Sequence, residues 1–84
     1  MLTLIRAPQV LTRKGSRKTQ LYAEIRAGLF PPPVRLGSRY AAWLESEVDA
    51  VLKARVAGAT RKQLRGIVRR LLEERRAMMP RLDV

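Results

Sequence analysis

Residues 21–50 read LYAEIRAGLFPPPVRLGSRYAAWLESEVDA, and this stretch decides the fold. Leu21 and Ile25 stand four apart, the spacing of one helical face, and Gly28 follows as a C-terminal stop. Pro31, Pro32 and Pro33 exclude helix from the connector, because proline lacks an N–H and pushes its predecessor toward extended backbone. The connector is predicted to be a stiff linker that aims what comes next. Residues 34–36 and 39–43 predict two short strands around Gly37-Ser38, a two-residue hairpin loop of the II′ type. Ser46-x-x-Asp49 then predicts a capping box, with Glu47 and Asp49 at the positive end of a new helix. Val48, Val51, Leu52 and Val56 are its expected buried side, and Gly58 ends it. Capping accounts for these acids, so no acid–base chemistry is read into them.

Upstream, residues 8–13 predict a short helix. Pro8 suits its first turn, where the missing N–H is not needed. Val10 and Leu11 supply an apolar face, and Leu4 and Ile5 precede it as a short strand. Gly15 breaks the pattern before a second helix over 17–27. Helix, glycine-bearing turn and helix make the outline of a helix-turn-helix. At about 100° per residue, Thr19, Ala23 and Arg26 lie opposite the Leu21/Ile25 stripe, with Ser16 and Gln20 beside them and Tyr22 on the flank. This small, polar surface suits a major groove; a helix built only for solvation carries more Glu and Lys.

The charge points the same way. The 84 residues include 18 Lys and Arg against 7 Asp and Glu, for a net charge of +11. Residues 1–40 contribute +7, residues 41–59 contribute −1 and residues 60–84 contribute +5. Such an excess favours a polyanionic partner: DNA, RNA or an anionic membrane. Arginine predominates, and its fork grips phosphate bidentately where lysine cannot. The absence of Cys and His removes disulfides, thiolate metal sites and the commonest general base. No nucleophile–base set stands out, so no catalytic residue, metal, cofactor or small-molecule ligand is expected. No apolar stretch approaches the ~20 residues of a membrane span, and MLTLIRAP lacks the apolar core of a signal peptide. A cytoplasmic setting is expected.

The last segment holds the strongest periodicity. Thr60-x-x-Gln63 predicts a second capping box. Leu64, Ile67, Val68, Leu71, Leu72 and Met78 follow helical spacing, with Lys62, Arg65, Arg69 and Arg76 in a basic arc of about 60° beside them. Arg69–Glu73 and Arg70–Glu74 are expected i,i+4 pairs, and Arg75 falls awkwardly inside the apolar stripe. The stripe is predicted to pack against a second copy of the chain, making a homodimer through Leu64, Ile67, Val68, Leu71 and Leu72. The alternative is that it folds back on the third helix.

The expected architecture is mainly α with a small β-hairpin wing: a winged helix-turn-helix over residues 1–58, and a basic amphipathic helix over residues 59–84. The expected function is sequence-specific binding of double-stranded DNA. Thr19, Gln20 and Ala23 are assigned to base edges. Arg13, Lys14, Ser16, Arg17, Lys18, Tyr22, Arg26, Arg35, Ser38 and Arg39 are assigned to the backbone. A small RNA-binding or ribosome-associated protein is the alternative; it would usually expose more aromatics for stacking than the four found here. A membrane-surface role would need only the last helix.

The pattern Tyr22-x-x-Ile25-x-x-Gly28-x-Phe30-Pro31-x-Pro33-Val34-x-Leu36-Gly37-x-Arg39-x-x-x-Trp43-x-Glu45-Ser46-Glu47-Val48-Asp49-Ala50 resembles the AlpA-type phage and prophage transcriptional regulators. The resemblance covers about residues 4–53, and Val51 stands where the family often has Trp. It implies a MerR-like, excisionase-like winged helix and a bacterial or phage-infected host, with the protein at the nucleoid. It also implies that the helix from Arg17 is the recognition helix, with Lys18, Thr19 and Gln20 at its DNA-facing start, and that Tyr22 and Arg39 match the family's tyrosine and wing arginine. The last helix lies beyond the resemblance.

Overall fold

The computed structural model describes residues 2–79, so residues 80–84 of the expected C-terminal unit lie outside the described residues. The chain runs β1 (Leu4–Ile5), α1 (Ala7–Lys14), α2 (Lys18–Arg26), β2 (Val34–Arg35), β3 (Ala41–Leu44), α3 (Glu45–Val56) and α4 (Arg61–Ala77). It is mainly helical with one three-stranded antiparallel sheet, the architecture of a winged helix-turn-helix with a C-terminal helix.

The sheet order is β1-β3-β2, so the hairpin strand β3 is central. Leu4 pairs with Leu44 and Ile5 with Trp43, while Val34 pairs with Ala42 and Arg35 with Ala41. The hairpin register corrects the expected turn. Leu36 N–H donates to the Tyr40 carbonyl at 3.0 Å, leaving Gly37, Ser38 and Arg39 as a three-residue loop. Gly37 does not adopt the positive φ that a II′ turn demands. Arg39 therefore sits in the loop rather than in the strand.

α1 and α2 are joined at Gly15, whose φ of 64° closes the first helix in the left-handed region. α2 ends as expected at Gly28: its N–H donates to the Ile25 carbonyl and that of Leu29 to the Glu24 carbonyl, the two bonds of a Schellman motif. α3 ends as expected at Gly58, which has a φ of 91°, but differs from expectation at its start and in the placing of Val56. It begins at Glu45, directly out of β3, so Ser46 is inside the helix and no Ser46–Asp49 capping box forms. The freed Glu45 N–H donates instead to the Thr3 carbonyl at 2.9 Å. Val56, expected inside, is 90% exposed because the helix turns it away from the core in its last turn.

One core joins every element except β2. Ile5, Val10, Leu21, Leu29, Phe30, Trp43, Val48, Val51, Leu64 and Val68 form a single buried cluster. Fully burying each of its larger apolar side chains is worth about 1.5–3 kcal/mol. Trp43 reaches the connector, its indole N–H donating to the Pro31 carbonyl at 3.0 Å. The three prolines have no N–H to satisfy, so only their carbonyls need partners.

α4 is capped as expected: Thr60 Oγ accepts from Gln63 N–H at 3.1 Å, and Gln63 Oε1 accepts from Thr60 N–H at 2.8 Å. Its stripe folds back on its own chain. Leu64 and Val68 are buried in the common core, and Ile67, Leu71 and Leu72 pack partly buried against it. Leu64 and Val68 are thus not available as a seam for a second copy. Arg75 is accommodated inside the stripe by the buried Glu47, to which it is ion-paired, and by the Pro32 carbonyl at 3.0 Å. The expected Arg69–Glu73 and Arg70–Glu74 pairs are not among the ion pairs formed by the described residues.

Candidate nucleic-acid interface

α2 is held from below by an acid. Glu24 is buried between Lys14, whose Nζ lies 2.5 Å from Oε1, and Arg55, whose guanidinium lies 2.7 Å from Oε2. These bonds tie α1, α2 and α3 at one point. Burial pushes the Glu24 carboxyl up, but the hydrogen bonds and charges of Lys14 and Arg55 outweigh it and hold the group below the usual carboxylate range. Lys14 also lies over the Phe30 ring, 4.8 Å from its centre.

This packing engages three of the residues assigned to the backbone. The Lys14 side chain is 1% exposed and points inward to Glu24, so it is not a phosphate ligand. Ser16 buries its hydroxyl oxygen in the α1–α2 turn. Arg13 stays at the surface but is bonded across to α3, 2.7 Å from Glu45 and 3.5 Å from Asp49. A charge count along the chain cannot register which acids lie across a turn.

The other assigned residues remain on the surface. Arg17, the N-cap of α2, and Lys18, Thr19, Gln20, Ala23 and Arg26 are exposed along that helix. Thr19, Ala23 and Arg26 form its outer ridge, with Lys18 and Tyr22 on one flank and Gln20 on the other. Arg35, Ser38 and Arg39 are exposed on the hairpin.

Between these two surfaces runs a cleft of about 540 Å³, lined by Arg6, Lys18, Tyr22 and Arg39 over a floor of Pro8, Ala41 and Trp43. It brings together Lys18, Tyr22 and Arg39 from separate elements. It also adds Arg6, which the sequence reading did not single out. Arg6 caps α1, its N–H donating to Gln9 Oε1 at 2.9 Å, and its guanidinium stacks on Tyr40, 4.1 Å from the ring centre. Its signal lay in its place just before the Pro8 helix start. A larger groove of about 670 Å³ at the α3–α4 corner is lined mostly by small residues, with Gln63 and Arg70 at its edge.

A helix-turn-helix whose second helix starts beside a basic hairpin defines a protein of the winged helix-turn-helix class. The chain belongs to the AlpA family of prophage regulatory proteins: residues 3–56 match the family described as prophage CP4-57 regulatory protein (AlpA). It is 44% identical over 57 residues to a protein of Enterobacteria phage P4 described as uncharacterized protein ORF88. That similarity takes in 68% of this chain and 65% of the relative, so the chain spans slightly under two thirds of the relative's length. No solved structure matches the chain. No helix among the described residues is long and apolar enough to cross a membrane.

Proposed function

We propose that the chain is a phage- or prophage-type regulator that binds double-stranded DNA sequence-specifically, acting on transcription or as an excisionase-like architectural factor. The observation that carries this reading is the junction of the small polar face of α2 with the basic cleft of Arg6, Lys18, Tyr22 and Arg39. In this reading α2 enters the major groove. Thr19 and Ala23 meet base edges, Ala23 against a thymine methyl, while Gln20 pairs with adenine at the groove wall. Arg17, Lys18, Arg26, Arg35 and Arg39 hold phosphates and fix orientation, with Ser38 at the hairpin tip. Membership of a regulatory family supports the reading.

The test begins with selection of bound sites from a random duplex pool, followed by competition with base-substituted sites. For about five neutralised phosphates, log K falls against log salt with a slope of about −4 or steeper. Gln20→Ala reduces discrimination at one base pair by ~1–3 kcal/mol. Arg39→Ala weakens all sites alike and makes the slope shallower by about one unit. A flat salt dependence, or a preference for single-stranded RNA, rejects the reading. An unchanged preference in Gln20→Ala rejects the assigned reading face.

A further inference from the structure

We propose that α4 carries a second phosphate-binding face, which holds the DNA strand at the end of α2 away from the hairpin. The proposal rests on the DNA-binding reading above and extends it to a helix outside the matched residues 3–56.

Arg65 orients the face. Its Nε donates to the Ala27 carbonyl at 3.0 Å, and its Cγ lies 3.7 Å from where a Cβ on Gly28 would stand. These contacts show which side of α4 passes the C-terminal end of α2. At about 100° per residue, Lys62, Arg69 and Arg76 fall within about 60° of Arg65, in a stripe about 21 Å long. All four are exposed. The bond of Arg65 accounts for itself, because a cation there satisfies an open carbonyl and the negative end of the α2 dipole. Lys62, Arg69 and Arg76 have no such task. Among the described residues they make no ion pair and no side-chain hydrogen bond. Leu64, Val68 and Arg75, on the adjoining side of α4, clamp the helix to the body, so the stripe is fixed in place.

Cations therefore stand at both ends of α2: Arg6, Lys18 and Arg39 at its start, and Arg26 with the α4 stripe at its finish. α2 has 9 residues, a length of about 13 Å, close to the ~12 Å width of a major groove. A groove that takes this helix presents one phosphate strand to each end. The stripe fits duplex DNA better than an anionic membrane, because Leu64, Ile67, Val68, Leu71 and Leu72 pack inward and leave only Met78 and Met79 exposed at the end of α4.

The test compares the full chain with Lys62→Ala/Arg69→Ala/Arg76→Ala, which leaves Arg65 in place. Binding to a short random-sequence duplex is followed by fluorescence anisotropy across a salt series. The variant is expected to keep its thermal midpoint and to show a log K–log salt slope shallower by about 2–3, with each single variant contributing about 0.9. Steep binding by the unaltered chain with the same slope in the folded variants overturns the α4 face and leaves the DNA reading standing. Failure of the unaltered chain to bind duplex overturns both. Loss in the variant of binding to phosphatidylserine vesicles, with duplex binding unchanged, overturns the proposal in favour of a membrane.

Discussion

Trp43 and Glu24 show how single residues set this fold. Trp43 is 1% exposed, closes the sheet against the proline connector, and lies beneath the proposed interface rather than on it. Trp43→Ala is expected to cost ~3–5 kcal/mol, enough to unfold much of a domain this small, as read by urea denaturation. A variant that stays fully stable but loses DNA binding would make the tryptophan a contact residue instead. Glu24 is expected to be as costly. Glu24→Ala leaves Lys14 buried without its partner, a loss of ~3–5 kcal/mol. The folded-state pKa of Glu24 is depressed, so its contribution is complete above the ordinary value of 4.5 and fades as pH falls below it. The urea midpoint of the unaltered chain should therefore drop through that acid window more steeply than that of Glu24→Ala. Parallel curves would show that the pair is not the acid-labile element. Glu24 was legible in principle. It is the single acid in residues 1–40 and lies near Leu21 on the inward side of its helix. An acid there needs a cation, and its partners were obscured because Lys14 lies across the turn and Arg55 is 31 residues away.

Among the elements, those whose signals are local matched their sequence patterns. The Thr60–Gln63 cap, the Gly28 stop and the period of α4 each depend on a few neighbouring residues. The hairpin register did not follow, because loops of two and three residues differ by one position and strand pairing decides between them. The start of α3 was hidden for a similar reason: Thr3, from the other end of the domain, supplies the missing cap. The surface of the candidate site was largely legible along α2, where helical geometry separates outer from inner residues. The inward turn of Lys14 was not, since it depends on a helix not yet placed. α4 allows a direct test at this scale. A chain ending at Ala59 loses the burial of Leu64 and Val68 and leaves Glu47 without Arg75. It is expected to be largely unfolded by circular dichroism at 25 °C, the combined loss matching the ~5–15 kcal/mol stability of ordinary domains. A truncated chain that melts like the full one would detach α4 from the core.

Over the described residues, four of the six acids are paired with cations on other elements. Glu24, Glu45, Glu47 and Asp49 are all engaged in ion pairs between elements, whereas Arg17, Lys18, Arg26, Arg35, Arg39 and the α4 stripe stay exposed. The fold thus concentrates a net charge of +11 on its surface. Such a surface repels itself, and added salt screens that repulsion. Raising ionic strength is expected to increase the thermal midpoint while weakening duplex binding. A midpoint that falls with salt would mean that the internal ion pairs outweigh the repulsion.

The pairing of β1 with β3, and of α4 with α3, the end of α2 and the proline connector, also imposes an order in time. A ribosome makes the chain from one end, at ~5–20 residues per second, so roughly 3–13 s separate the making of Ile5 from that of Val68. Within that interval Ile5 waits for Trp43 and Glu24 waits for Arg55, and the nascent segment is a polycation with one acid among its first 40 residues. Folding is expected to be completed only once Val68 has been made, and a message cut short before Leu64 is expected to yield a largely unfolded chain.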